Sequence, residues 1–354
     1  MITMVATDLY PLLFEPNLHH VIWGGDRLPS IKGLPADPEP VGESWEVSAV
    51  PTSTSIIANG PWAGQDLISV ISRRPEEILG HEVARQYDNQ LPLLVKLIDA
   101  KRDLSIQVHP NDEMARRVHG KRGKTEMWYV IDAAPGASLL AGFKREISQY
   151  EFRNRIEDNS IVEVLARHEV RPGDVFYIPA GRVHAICGGI FLAEVQQSSD
   201  VTYRIYDYNR PGMDGKPRQL HTELAAQAID FRVPDEYRTV YIDEPNRANL
   251  VIDSPYFVVR VVDIQSPFHR NLIKYDSFII SLCIQGDCTL RIRETGHEIS
   301  LREGHSCLIP AAIADYDVIP ANAQGKTKLL DAFVNNKLLD IGHRVTRFLH
   351  ITRQ

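Results

Sequence analysis

The sequence is poor in cysteine, with only Cys187, Cys283, Cys288 and Cys307 in 354 residues. No two of them form a Cys-x2-Cys pair, so no thiolate metal knuckle or dithiol redox motif is encoded. A chain of this length also needs no disulfide staples to hold its core. Four reduced thiols in a cytoplasmic protein are the expectation. Long apolar runs are missing too: none approaches the roughly 20 residues that span a bilayer. Met1 to Phe14 carries no basic segment followed by an apolar stretch, the pattern of a secretory signal. Excess positive charge is absent as well. The formal net charge is −7 and the isoelectric point about 6.0, which argues against nucleic acid or an anionic membrane as a main partner. A pocket's local field can differ from the total, so a phosphorylated small molecule stays open. Hydrophobic content of 44% and charged content of 24% are those of an ordinary globular chain, long enough for two or three compact units.

What the sequence does hold is concentrated around Leu104-Ser105-Ile106-Gln107-Val108-His109-Pro110. Leu104, Ile106 and Val108 alternate with Ser105, Gln107 and His109, the period of a strand with one apolar face. The polar face carries a hydroxyl, an amide and an imidazole, not the charges of a solvated surface. A few residues on, Gly123-Lys124-Thr125-Glu126 leads into the apolar run Met127 to Ile131, which sets a carboxylate at the mouth of a buried strand. A further group comes from Gly173 to His184, a Gly-x5-Pro-x-Gly-x2-His frame in which a strand enters a tight turn and His184 opens the next strand. Gln107, His109, Glu126 and His184 thus offer two imidazoles, a carboxylate and an amide oxygen. That donor set suits a borderline divalent metal, zinc above all, with room for water or substrate.

These segments, with Trp23-Gly24-Gly25, Gly42-Glu43-Ser44-Trp45-Glu46 and Glu194 to Arg204, resemble a class I mannose-6-phosphate isomerase of the cupin superfamily in its shorter bacterial form. The resemblance covers most of residues 20 to 222. It implies a mainly β fold of two cupin (jelly-roll) β-barrels in tandem with small helical insertions. It also implies one zinc ion per chain and interconversion of mannose 6-phosphate and fructose 6-phosphate through a cis-enediol. Arg204 and Asp200 match the family's site, as does Glu194, and the family's arginine is essential to catalysis. Asp200 and Arg204 lie four apart, which in a strand puts both on one face. Lys96 stands where the family has a lysine associated with the substrate, and Ser105, Lys124 and Lys216 are the other substrate or phosphate candidates. Lys216-Pro217-Arg218 forms a compact positive cluster. No residue stands out as the base.

Along the chain, residues 1–234 are expected to form the metal-binding barrel, with helical insertions at about 65–88 and 150–167. In 42–48, packing by Trp45, a turn cap by Glu43 and a site-lining role all stay open. Residues 235–354 read as a second barrel, with a hairpin at Gln285-Gly286-Asp287 joining 277–284 to 288–292. Gly304 to Asp315 repeats the Gly-x5-Pro frame, but Ala312 and Asp315 replace the second glycine and the histidine, so its metal site is expected to be lost. The expected partner is a small-molecule sugar phosphate, with no nucleic acid and no membrane, and a homodimer is left open. Two alternatives remain: an isomerase for another sugar or sugar phosphate, and a non-catalytic sugar-binding cupin.

Overall fold

The structure, a computed structural model, describes residues 9–313, 315–321 and 326–334. The described chain is mainly β, with all sheet pairings antiparallel, and divides into two compact units. One, the site unit, comprises 15–55 and 92–242; the other comprises the described parts of 1–14, 56–91 and 243–354. Residues 56–91, which the sequence reading attaches to the N-terminal barrel, therefore belong with the C-terminal segment. Among the described residues no helix is long and apolar enough to cross a membrane, and the four cysteines are free and buried.

In the site unit, the strands are β1 (Leu18–Gly25), β2 (Val41–Val47), β3 (Leu93–Ala100), β4 (Ile106–Val108), β5 (Glu126–Ala133) and β6 (Ser138–Phe143). They continue with β7 (Leu165–Glu169), β8 (Val175–Ile178), β9 (His184–Ile186), β10 (Ile190–Gln197) and β11 (Tyr203–Tyr206). One sheet runs β8-β5-β10-β3-β1-β2, with β2 also paired to β3; the other runs β7-β6-β9-β4-β11. β3 and β10 are buried on both faces, which explains why both read as nearly continuous apolar runs. Two apolar clusters fill the unit, one around Phe143, Phe152 and Tyr203, the other around Trp128, Phe176 and Leu192.

Two local expectations are corrected here. The insertion expected over 150–167 is a helix only at Gln149–Glu157, capped by Ser148. Asn159 turns left-handed at φ 62°, and the chain goes on through a 3-10 turn at Ile161–Val164 into β7. Ile161, Val164 and Leu165 are buried either way, and so short an apolar run fits helix and strand spacing alike.

The C-terminal segment carries the second correction. Ile279–Gln285 pairs with Ser306–Ile309 and Thr327–Phe333, whereas Cys288–Ile292 pairs with Glu298–Leu301 and Asp315–Pro320. The Gly286 turn, φ 64°, thus passes the chain from a six-stranded to a four-stranded sheet and does not close a hairpin. In the same unit three short helices occupy Leu67–Arg73, Pro75–Leu79 and His81–Gln86. Gly80 joins the last two at φ 95°, and a Cβ there would lie 2.1 Å from the Asp276 carbonyl oxygen. The Asp276 carboxylate accepts from the His81 and Glu82 amides.

Candidate metal centre and its surroundings

Antiparallel pairing places directly opposed residues on one face. Across the second sheet of the site unit, β6, β9, β4 and β11 align Ala141, His184, Gln107 and Arg204 in one row. Across the first sheet, β2, β3, β10, β5 and β8 align Trp45, Lys96, Glu194, Trp128 and Phe176. Glu126 opens β5, two residues before Trp128 and so on the same face, and His109 follows β4 directly. Gly181 makes the tight return before His184, with φ 91° and the Ala228 oxygen 3.0 Å from where a Cβ would lie.

His109, Glu126 and His184 converge, each offering a ligand atom within 4.8 Å of the others. All three are essentially inaccessible to solvent. His109 Nδ1 lies 3.0 Å from the Val201 carbonyl oxygen, and His184 Nδ1 lies 2.8 Å from that of Arg182. A carbonyl only accepts, so both Nδ1 atoms carry the proton and both Nε2 lone pairs face the centre. There they stand 3.4 and 3.3 Å from the two Glu126 oxygens. Lys124 Nζ lies 3.0 Å from Glu126 Oε2 and 3.2 Å from His109 Nε2, and the Gln107 amide nitrogen lies 3.3 Å from His184 Nε2. Rotating that amide by half a turn would present its oxygen to the same point.

Both Glu126 oxygens are fully buried; Oε2 meets the Lys124 ammonium at 3.0 Å, while Oε1 has no hydrogen-bond donor. A buried carboxylate so placed, with imidazole lone pairs turned toward it, calls for a cation. The residues present therefore fit a metal ion, and the titration behaviour agrees. Burial pushes the His109 imidazole down to about 3, with Lys124 adding to the effect. Burial also lowers His184. At Glu126 burial works upward, but Lys124, His109 and His184 outweigh it and hold the carboxyl well below its ordinary value. All three side chains are thus in the deprotonated form a metal needs.

Beyond the triad, buried charges alternate in sign. Glu194 Oε1 lies 3.4 Å from Lys96 Nζ and 4.0 Å from Lys124 Nζ. Glu194 Oε2 accepts from the Trp128 indole at 3.0 Å, and that indole meets the His184 ring edge-on at 5.3 Å. Burial and Glu126 raise the Glu194 carboxyl, against Lys124 and Lys96. Lys96 reaches Glu43 Oε2 at 3.2 Å. Burial disfavours its charge, but Glu43, Glu194 and Glu126 outweigh burial and hold the ammonium above its ordinary value. Glu43 thus caps no turn: it sits within β2 and faces this row. The even spacing of Glu43 and Trp45 on an alternating strand was the signal for it.

The remaining candidates are more scattered. Ser105 is buried just before β4. Asp200 lies before β11, not on it, and pairs with Lys121 at 2.6 Å, so the same-face argument linking it to Arg204 fails. Arg204 is half-buried, donates to the Gln219 carbonyl at 3.0 Å, and keeps a buried Nε without a partner. Burial, then neighbouring Arg218, lowers its pKa, with Asp207 opposing. Lys216 is exposed in the turn between Gly212 and Arg218.

Matches to known proteins define the class first. The model of the phosphomannose isomerase type I catalytic domain matches residues 12–130, and that of the mannose-6-phosphate isomerase cupin domain matches residues 246–328. The chain is 35% identical to the probable mannose-6-phosphate isomerase GmuF of Bacillus subtilis, over 87% of this chain and 96% of that one. It is 32% identical to the mannose-6-phosphate isomerase of Streptococcus mutans, over 86% of this chain and 94% of that one. The crystal structure of the mannose 6-phosphate isomerase from Bacillus subtilis superposes with a TM-score of 0.81 at 32% identity, covering 92% of this chain and 99% of that one. The chain belongs to the mannose-6-phosphate isomerase family of enzymes.

Proposed function

We propose that the protein is a cytoplasmic, zinc-dependent aldose–ketose isomerase that interconverts mannose 6-phosphate and fructose 6-phosphate through a cis-enediol. The observation that carries the reading is the buried convergence of His109, Glu126 and His184, with both imidazole lone pairs and a donor-free carboxylate oxygen turned to one point, in a chain of this family. Gln107, His109, Glu126 and His184 would hold one zinc ion. When bound, the ion supplies a Lewis acid for the oxygen that gains negative charge. We assign each pair of sheets to a jelly-roll barrel, the C-terminal one without a metal site.

The reaction moves a proton between neighbouring carbons, so a pocket must hold the sugar still, exclude water and compensate charge on oxygen. Arg204 shares the face of Gln107 and His184, and its unpartnered Nε suits it to stabilise an enediolate-like oxygen. Asp200, paired with Lys121, would order the loop entering β11. Glu194, between two lysines, is a group that could exchange a proton beside the metal cluster. Ser105, Lys96 and Lys124 would orient substrate hydroxyls and Lys216 would reach the phosphate, whose binding energy positions the reacting carbons.

The test is a coupled assay of mannose 6-phosphate conversion, with removal of metal by a chelator and add-back of zinc. Turnover lost and restored supports the reading. Turnover of another sugar phosphate alone would favour the rival isomerase, and metal-dependent sugar binding without turnover would favour a binding protein.

A further inference from the structure

We infer that Glu43, with Trp45, forms a positioning clamp that aims the Lys96 ammonium into the site. The inference rests on the isomerase reading above. Glu43 Oε2 receives two donors at once, the Trp45 indole Nε1 at 2.6 Å and Lys96 Nζ at 3.2 Å. The Trp45 ring also lies under the same ammonium, with Nζ 4.9 Å from its centroid, a cation–π contact. The ring is itself held in place. His19 stacks on it at 4.5 Å and 24°; His19 Nε2 meets Ser53 Oγ at 3.1 Å, and Ser53 donates to Asn17 at 3.1 Å. Lys96 therefore has a carboxylate and an aromatic face on one side and Glu194 on the other.

The physical need for such a clamp follows from burial. A lysine stem has four rotatable bonds, and a buried ammonium seeks the nearest anion. With Glu43 gone, Lys96 would close fully onto Glu194, cancelling its charge and withdrawing the ammonium from any substrate oxygen. Among the described residues, the ion pairs that link Glu43 to the metal triad run through Lys96, Glu194 and Lys124. Its effect should therefore pass through Lys96 and leave metal binding alone.

The experiment is a double-mutant cycle in the zinc-loaded full chain, using Glu43→Gln, Lys96→Met and the pair. Glu43→Gln is expected to lower kcat/KM at least tenfold in the wild-type background, but less than twofold on Lys96→Met, with metal content and melting temperature unchanged. Equal losses in both backgrounds, or no loss, overturn the clamp. If Glu43→Gln fails to fold, Trp45→Phe, which removes the indole donor, should give a smaller loss that likewise disappears on Lys96→Met; its persistence there overturns the clamp. If the wild type does not turn over mannose 6-phosphate, the isomerase reading fails. The crystal structure of Glu43→Gln then decides: Lys96 Nζ displaced from the Trp45 ring toward Glu194 upholds the clamp, and an unmoved Nζ overturns it.

Discussion

Two imidazoles with one nitrogen bonded to the backbone and the other facing a buried carboxylate behave differently from two surface histidines. If they hold a metal as proposed, removing either should leave a ligand position unfilled. His184→Ala is expected to lose most of the bound metal, read by elemental analysis after dialysis, while Arg204→Ala keeps it. The arginine makes a sharper kinetic claim. If its guanidinium acts only as charge builds on oxygen, Arg204→Ala lowers kcat and kcat/KM together by a factor worth about 3 kcal/mol. Lys216→Ala, at an exposed turn, should raise KM more than it lowers kcat. A high-KM, normal-kcat Arg204→Ala enzyme would move the arginine to the phosphate.

At the scale of elements, strand register turns scattered residues into a site, and here the legibility of the sequence is uneven. Alternation about Gln107 and the Gly-x5-Pro-x-Gly-x2-His frame marked the residues proposed here as metal ligands, because a polar side chain on an otherwise apolar strand is visible locally. Glu43 and Lys96 became partners only once β2 and β3 were paired, a long-range fact that no local pattern carries. The same-face argument for Asp200 fails for the opposite reason: spacing says which face a residue takes only if the strand extends that far. The Gln285-Gly286-Asp287 turn has hairpin chemistry, yet its flanking strands join different sheets. Gly80 offers a direct test of an element junction. Gly80→Ala would force a left-handed alanine against the Asp276 oxygen, and a loss of about 2 kcal/mol or more is expected, measured by the urea midpoint with kcat unchanged.

For the whole molecule, the buried neutral histidines tie stability to acidity. His109 is held near 3 against an ordinary 6.5, so between these values the unfolded chain binds a proton the folded one refuses. Stability therefore rises with pH across that window and is lost as pH falls toward 3. Urea midpoints of the metal-free protein should trace the slope, and His109→Gln should flatten it.

The interleaving of the two units has a consequence for synthesis on the ribosome. The segments that build the site unit are complete once residue 242 has emerged, whereas Leu12–Leu13 must wait for Cys307 and Leu308, its pairing partners. Residues 56–91, with Leu67, Ile71, Ile78 and Leu79 buried in the finished protein, likewise await the segment after 243. A nascent chain stalled between these points would carry a formed site unit and uncovered apolar helices, the form in which chaperones would find it.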